Sequence, residues 1–244
     1  MDARWTACEA QGAPGGERRH WSSVALVRIS LISASIAHLC PDRNSATSPA
    51  YWDFSSIASL ARNLFEAIMF FFYISEVVEE EEFAFRVLLM EYNDSVSRNR
   101  IFQQLGDPAQ VELGKKVAAD FCEELKRNAY FQKLDHASKA RAIAGNSASL
   151  VTLRDRAARY SNRPEIWGLY DYLSTHAHTH PVSFFRMTTQ GRTGKENDSE
   201  MVLLAPILNE LVTFLSDVIA SYRDDHKGIV EFRPRPDQLL RGES

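Results

Sequence analysis

Along most of this chain apolar side chains recur every three or four positions, and no convincing stretch alternates. Ile57, Leu60, Ala61, Leu64 and Ile68 form one such series, widened by Phe65 and Phe72. Leu204, Ile207, Leu208, Leu211, Phe214, Leu215, Val218, Ile219 and Tyr222 form a longer one. A period near 3.6 turns one face of a helix toward a core, whereas a strand exposed on one side needs a period of two. The expected fold is therefore all-α, an antiparallel bundle of five to seven helices. Its core should be the helix around residues 57–68, the helix beginning near Ile166 and the last long helix.

A chain of 244 residues, 45% hydrophobic and 25% charged, can bury such a core without disulfides. Its formal charge of −4 argues against a dominant electrostatic footprint for nucleic acid or membrane. Cys8, Cys40 and Cys122 are odd in number and widely spaced, which suits a reducing compartment and forms no zinc pattern.

Two apolar segments invite a membrane or export reading. Residues 22–40 follow Arg18, Arg19 and His20, as a signal peptide follows a basic flank, but Arg28 interrupts the run. Val24, Val27, Leu31 and Leu39 lie near a helical stripe there, which points to a packed first helix. Residues 57–74 are divided by Arg62, Asn63 and Glu66, leaving far less than the ~20 uncharged residues of a span. The expectation is a cytoplasmic protein with no membrane partner.

Local signals divide the chain further. Residues 1–19, with Gly12, Pro14, Gly15 and Gly16, read as a loose leader, and residues 20–226 as one helical domain. A first helix runs from about Ser22 to Leu39, and Asp53 or Ser55 caps a second. Glu79 to Glu82 open a third helix and read as a solvated first turn facing the positive end of its dipole. Gly106 ends that helix, and Asp107-Pro108 starts the fourth, which carries Val111, Val117, Phe121 and Leu125. Shorter helices follow near 137–144, closed by Gly145, and near 149–160. In the next helix Ile166, Leu169, Tyr170 and Leu173 form the buried stripe. Pro206 either kinks the last helix or marks its first turn. Residues 227–244, with Pro234 and Pro236, read as an extended tail, and Ile229–Phe232 as at most one short extended piece.

The densest set of reactive side chains is IWGLYDYLSTHAHTHP, Ile166 to Pro181. His176 falls beside Leu173 and Leu169 and faces the core, whereas His178 points away, near Ser174 and Asp171. His180 precedes a proline, which pushes it out of helical geometry, so a metal site from His176 and His180 is not expected. The plainer role for the cluster is a helix terminus where histidine stabilises the last carbonyls. Arg62 and Glu66 are four apart on one face, with Phe70 and Tyr73 on the same side. They are an ordinary intrahelical pair or one wall of a polar crevice that Arg86 could join. The loop GRTGK, Gly191 to Lys195, lacks the strand, the glycine spacing and the hydroxyl of a phosphate loop.

Two segments resemble a bacterial family of all-helical proteins of unknown function. They are LARNLFEA, Leu60 to Ala67, with FYIS and EEEEFAFR following, and YDYLSTHAHTHP, Tyr170 to Pro181. The family pattern is an arginine and a glutamate in an early helix, a later tyrosine, then leucine-serine and a histidine. Here these fall on Arg62, Glu66, Tyr170, Leu173-Ser174 and either His176 or His178, and the likeness spans about residues 20–225. Such proteins are similar in architecture to HEPN-type bundles, several of which are ribonucleases in bacterial defence and toxin systems. The resemblance implies a helical bundle and a homodimer. It carries nuclease activity over poorly, because the HEPN spacing of arginine, four to six residues, then histidine is missing. Arg223 and His226 stand too close, and Arg127 and His136 too far apart.

Two functional expectations follow. The leading one is a non-enzymatic regulatory or binding domain, a component of a defence or stress system. Its polar crevice, drawing on Glu66, Arg86, Tyr170 and Ser174, would hold a protein partner or a small ligand. The alternative is a metal-independent ribonuclease, with His176 or His178 as acid and base and Arg62 stabilising the phosphate. RNA is a partner only in that second reading, and neither reading calls for a metal or a cofactor.

Overall fold

A computed structural model of the chain describes residues 16–40, 53–160, 165–177, 181 and 198–225. The leader before Gly16, His178, His180, the GRTGK loop and the segment after residue 225 lie outside the described residues. Within them the chain is all-helical with no strand, as the periodicity demanded. Nine helices are described, two more than the upper expectation. They are α1 (Gly16–Leu39), α2 (Phe54–Ser75), α3 (Glu80–Leu105), α4 (Pro108–Arg127), α5 (Ala129–Lys133), α6 (His136–Ile143), α7 (Leu153–Tyr160), α8 (Glu165–Ala177) and α9 (Asp198–Asp225).

Caps explain the excess. Asn128 accepts from the backbone N–H groups of Tyr130 and Phe131, at 2.8 and 3.2 Å, and so starts the five-residue α5 directly behind α4. Asp135 does the same for α6 through Ser138 N, at 2.9 Å. The five-residue α5 is too short for apolar spacing to reveal, whereas α6 falls where a short helix near 137–144 was expected. The longer boundaries follow their signals. Gly106 adopts the left-handed conformation, with φ of 71°, at the end of α3. Asp107 accepts from Gln110 N at 3.1 Å with Pro108 in the first turn of α4. Gly145, with φ of 64°, closes the chain after α6.

Helix α2 is the centre of the molecule. Twelve of its 22 residues are buried, around most of its circumference, because α1, α7, α8 and α9 all pack on it. Bonds from Arg18 to Ser75 O and from Arg19 to Asp225 O bring the start of α1 to the ends of α2 and α9. Thus α1 runs antiparallel to both. The main core joins Ile29, Ile32 and Ile36 of α1 to Ile57, Leu64 and Ile68 of α2. Leu173 of α8 and Leu204, Leu211, Phe214 and Val218 of α9 complete it. A second, smaller cluster, Phe85, Leu89, Leu125, Phe131 and Ala142, holds α3 to α6 together.

Two apolar stripes face elsewhere than expected. In α1 the buried face is Ala25, Ile29, Ile32 and Ile36, while Val24, Val27 and Leu31 are exposed. Apolar and polar residues are mixed around that helix without segregation, so spacing alone could not choose the face. In α4 only Leu125 of the expected stripe is buried, and Val117 is exposed. Pro206 lies inside α9, which continues through it. By length and apolar composition α1, α2 and α9 could each cross a bilayer, one more than the two segments singled out from sequence.

Candidate functional site

The polar face of α2 begins with an ordinary helical pair. Arg62 Nη2 lies 2.9 Å from Glu66 Oε1, one turn away. Helix α8 crosses that face and supplies Tyr170. Its hydroxyl donates to Glu66 Oε1 at 2.7 Å and accepts from Arg62 Nη2 at 3.1 Å and Nε at 3.3 Å. The three groups close a ring of hydrogen bonds, with the guanidinium also 5.4 Å from the Tyr170 ring centroid. Trp167, one turn earlier on α8, stacks on Tyr170 with centroids 5.0 Å apart, and Arg154 of α7 lies 5.5 Å from the Trp167 ring. Arg62 and Glu66 keep 22% and 38% of their side-chain surface, so this ring is an edge that a ligand can reach.

Tyr170 and Arg62 keep their protons at neutral pH. Burial, and then the bond to Glu66, push the Tyr170 hydroxyl above its ordinary pKa. Burial pulls the Arg62 guanidinium down, but the bond to Tyr170 and the charge of Glu66 together outweigh it and leave the group above its ordinary value. Neither group exchanges a proton in the range where acid–base catalysis operates.

Tyr170 also belongs to an apolar groove. Between α8 and α9 a shallow cleft, open to solvent and with enclosed room of only about 10 Å³, is lined by Phe65, Ile166, Leu169, Tyr170, Leu173, Ile207, Glu210 and Leu211. The ring of Tyr170 forms part of its wall, while the hydroxyl reaches the Arg62–Glu66 pair. The surface of the cleft is wholly apolar, and the Arg62–Glu66–Tyr170 ring lies beside it rather than within it.

The remaining expected site residues fall elsewhere. His176 is buried, 3% exposed, facing the core as its spacing predicted. Its Nδ1 lies 3.5 Å from Ser55 Oγ, and its ring meets Phe54 and Tyr172 edge-on at 4.7 and 4.9 Å. Ser55 and Arg62 are seven residues apart on α2, roughly 10 Å along the axis. His176 and Arg62 therefore bond to different turns. Ser174 donates to the Tyr170 carbonyl at 2.8 Å, within its own helix.

Arg86 does not join Arg62. It is 3% exposed and bonds to Glu76 at 2.9 Å, to Glu82 at 2.5 Å and to the Tyr73 carbonyl, with its guanidinium 4.2 Å from the Tyr73 ring centroid. Arg156 also lies near that ring, at 5.5 Å. Burial lowers the Arg86 pKa, but the bonds to Glu82 and Glu76 more than compensate. Glu76 further binds Arg159 and the Tyr160 hydroxyl, so this cluster ties α2, α3 and α7 together. One glutamate of the acidic run, Glu82, is thus a structural ligand to a buried cation, while Glu80 and Glu81 are solvated. Tyr73, expected beside Arg62, belongs to this second cluster.

Sequence reading missed Trp167, Ile207 and Glu210 as site residues. The available signal was the pairing of two apolar stripes, Leu169–Leu173 and Ile207–Leu211, whose contact only the fold establishes. Among the described residues no group of three or more histidines, cysteines or carboxylates is placed to hold a metal. Residues 19–196 match the model of a family of unknown function, DUF5677. No curated protein and no solved structure matches the chain.

Proposed function

We propose that this chain, which belongs to the family of unknown function DUF5677, is a non-catalytic helical domain that binds an amphipathic ligand in the α8–α9 groove. The observation that carries the reading is the double use of Tyr170. Its ring walls the groove, and its hydroxyl closes the Arg62–Glu66 hydrogen-bond ring. A ligand would place its apolar body against Leu169, Leu173 and Leu211. A neutral head with both a donor and an acceptor would exchange bonds with Glu66 and Arg62.

The chemistry of the crevice favours binding over ribonuclease action. Its tyrosine and arginine hold their protons through neutral pH. His176 is enclosed by Phe54, Tyr172 and Ser55, about two turns along α2 from Arg62, and is not part of the Arg62–Glu66–Tyr170 ring. The domain is also read here as soluble. Arg62 and Glu66 near the middle of α2, and Glu210 and Asp217 in α9, would otherwise enter hydrocarbon, where charge is costly.

Incubation with single-stranded RNA in the presence of chelator separates the two readings. The wild-type protein is expected to cleave nothing. A functional acid–base histidine contributes roughly 10²–10⁴-fold. Cleavage that disappears in both His176→Ala and Arg62→Ala, with folding intact, would replace the binding reading by the ribonuclease one.

A further inference from the structure

Arg156 of α7 differs from the other arginines where α7 meets α2. Arg62 bonds to Glu66 and Tyr170, Arg86 to Glu76 and Glu82, and Arg159 to Glu76. Arg156 is half-buried with its guanidinium 5.5 Å from the Tyr73 ring centroid, yet it makes no hydrogen bond or ion pair among the described residues. Its Nε is shut off from solvent with no acceptor. The two Nη groups are also unpaired but not enclosed, so the outer edge of the guanidinium can be reached.

The charges around it do not balance. Near the Tyr73 ring and the end of α2 stand three guanidinium groups, Arg86, Arg156 and Arg159, with two carboxylates, Glu76 and Glu82. Arg86 engages both carboxylates, and Glu76 is shared with Arg159 and Tyr160. Glu66 acts on Arg156 electrostatically, but its bonds go to Arg62 and Tyr170. Asp155, the neighbour of Arg156 in the chain, accepts from Thr152. The positive charge left over is that of Arg156. Partners lift Arg62, Arg86 and Arg159 above the ordinary arginine pKa, whereas burial pulls Arg156 below it. A cation held out of water without a counter-charge is costly, and a fold that needed it would supply a carboxylate, as it does for Arg86.

We propose that Arg156 is the binding residue of an oxyanion site at the α2–α7 junction, taking a carboxylate or phosphate group of a small molecule across its two Nη groups. A planar guanidinium offers paired N–H donors at the spacing of two oxygens on such a group, and the shared chemistry is that two-oxygen edge. The anion supplies the charge that the cluster lacks. The site is separate from the Arg62–Glu66–Tyr170 ring, whose three groups already satisfy one another, and it requires nothing of the α8–α9 cleft.

Thermal melts of the full chain in rising sodium acetate or sodium phosphate test this, with sodium chloride holding the ionic strength constant. The melting temperature is expected to rise saturably with at least one of the two anions, as for any ligand that binds only the folded state, and the effective anion identifies the group. Arg156→Met keeps the apolar stem and removes the charge. It is expected to melt no lower than wild type in chloride alone, and to lose the saturable rise. Arg156→Lys keeps the charge without the fork and should need several-fold more anion for half-saturation. No rise, a rise that never saturates, or an equal rise in Arg156→Met would mark at most a general salt effect and overturn the proposal. An Arg156→Met chain that fails to fold, or melts well below wild type in chloride, would show that the cation serves the fold and would overturn it equally. Unchanged half-saturation in Arg156→Lys would overturn the paired-donor geometry.

Discussion

Helix α2 bears two arginine centres built from the same residue types, and they differ chiefly in water. At its end Arg86, contributed by α3, is enclosed by Glu76, Glu82 and the Tyr73 carbonyl and joins three helices. Midway along, Arg62 meets Glu66 and Tyr170 at an edge that remains partly solvated and opens onto a groove. The first arrangement uses its donors to satisfy carboxylates and a carbonyl that packing has buried. The second keeps its ring of bonds where a ligand can exchange with it. Identity of residues therefore does not distinguish a structural cluster from a binding site, but exposure and adjoining space do.

The largest expected effect comes from breaking the enclosed centre. Arg86→Ala leaves Glu82 and the Tyr73 carbonyl without their cation, while Glu76 keeps Arg159 and Tyr160, and loss of one partner of a buried pair costs about 3–5 kcal/mol. Because both glutamates retain some solvent, at 28% and 23% side-chain exposure, the lower end of that range is expected in a denaturant titration. A loss below about 1 kcal/mol, the size of an exposed pair, would erase the contrast drawn here.

At the solvated centre the effects should be smaller. Tyr170→Phe removes one hydroxyl that serves two partners, and a hydrogen bond of this kind is worth about 0.5–1.5 kcal/mol. Arg62→Ala should cost less, since exposed pairs contribute about 0–1 kcal/mol even before screening by salt. Thermal melts in low and high salt check this. A melting temperature that falls as far for Arg62→Ala as for Arg86→Ala would make both centres structural.

The smallest effect concerns Glu91, a carboxylate on α3 with no ion pair among the described residues. Burial, with Glu17 and Glu124 nearby, raises the Glu91 pKa above the ordinary carboxylate value. A raised folded-state pKa favours the folded protein at low pH, and that contribution is lost as pH rises through the folded pKa. Glu91→Gln is therefore expected to melt slightly higher than wild type at neutral pH. The difference should close below about pH 4.3, the ordinary glutamate pKa. An advantage for wild type at neutral pH would show that Glu91 has a favourable partner.

How much of this was legible beforehand depended on whether information was local. The stripes of α2, α8 and α9, the caps at Gly106 and Asp107, and the Arg62–Glu66 pair are set by neighbours a turn away, and the sequence shows them. The buried face of α1 was ambiguous because Val24, Val27 and Leu31 are as apolar as Ile29, Ile32 and Ile36. Residue type alone suggests that Arg86 could join the crevice. Its real partners include Glu76, across the α2–α3 turn, and the carbonyl of Tyr73, neither of which a helical period connects to it. The groove exists only because Leu173 and Leu211, 38 positions apart in the sequence, are brought to one place.

The central claim is that the α8–α9 groove binds an amphipathic molecule through Tyr170. Fluorescence titration with N-phenyl-1-naphthylamine, a neutral apolar probe with one N–H donor, addresses it most directly. The wild-type protein should bind one probe per chain and saturate. Leu169→Trp, which fills the groove from its half-buried edge, should abolish binding while leaving the melting temperature nearly unchanged. Absence of saturable binding to the wild type, or equal binding by the groove-filled variant, would contradict the account.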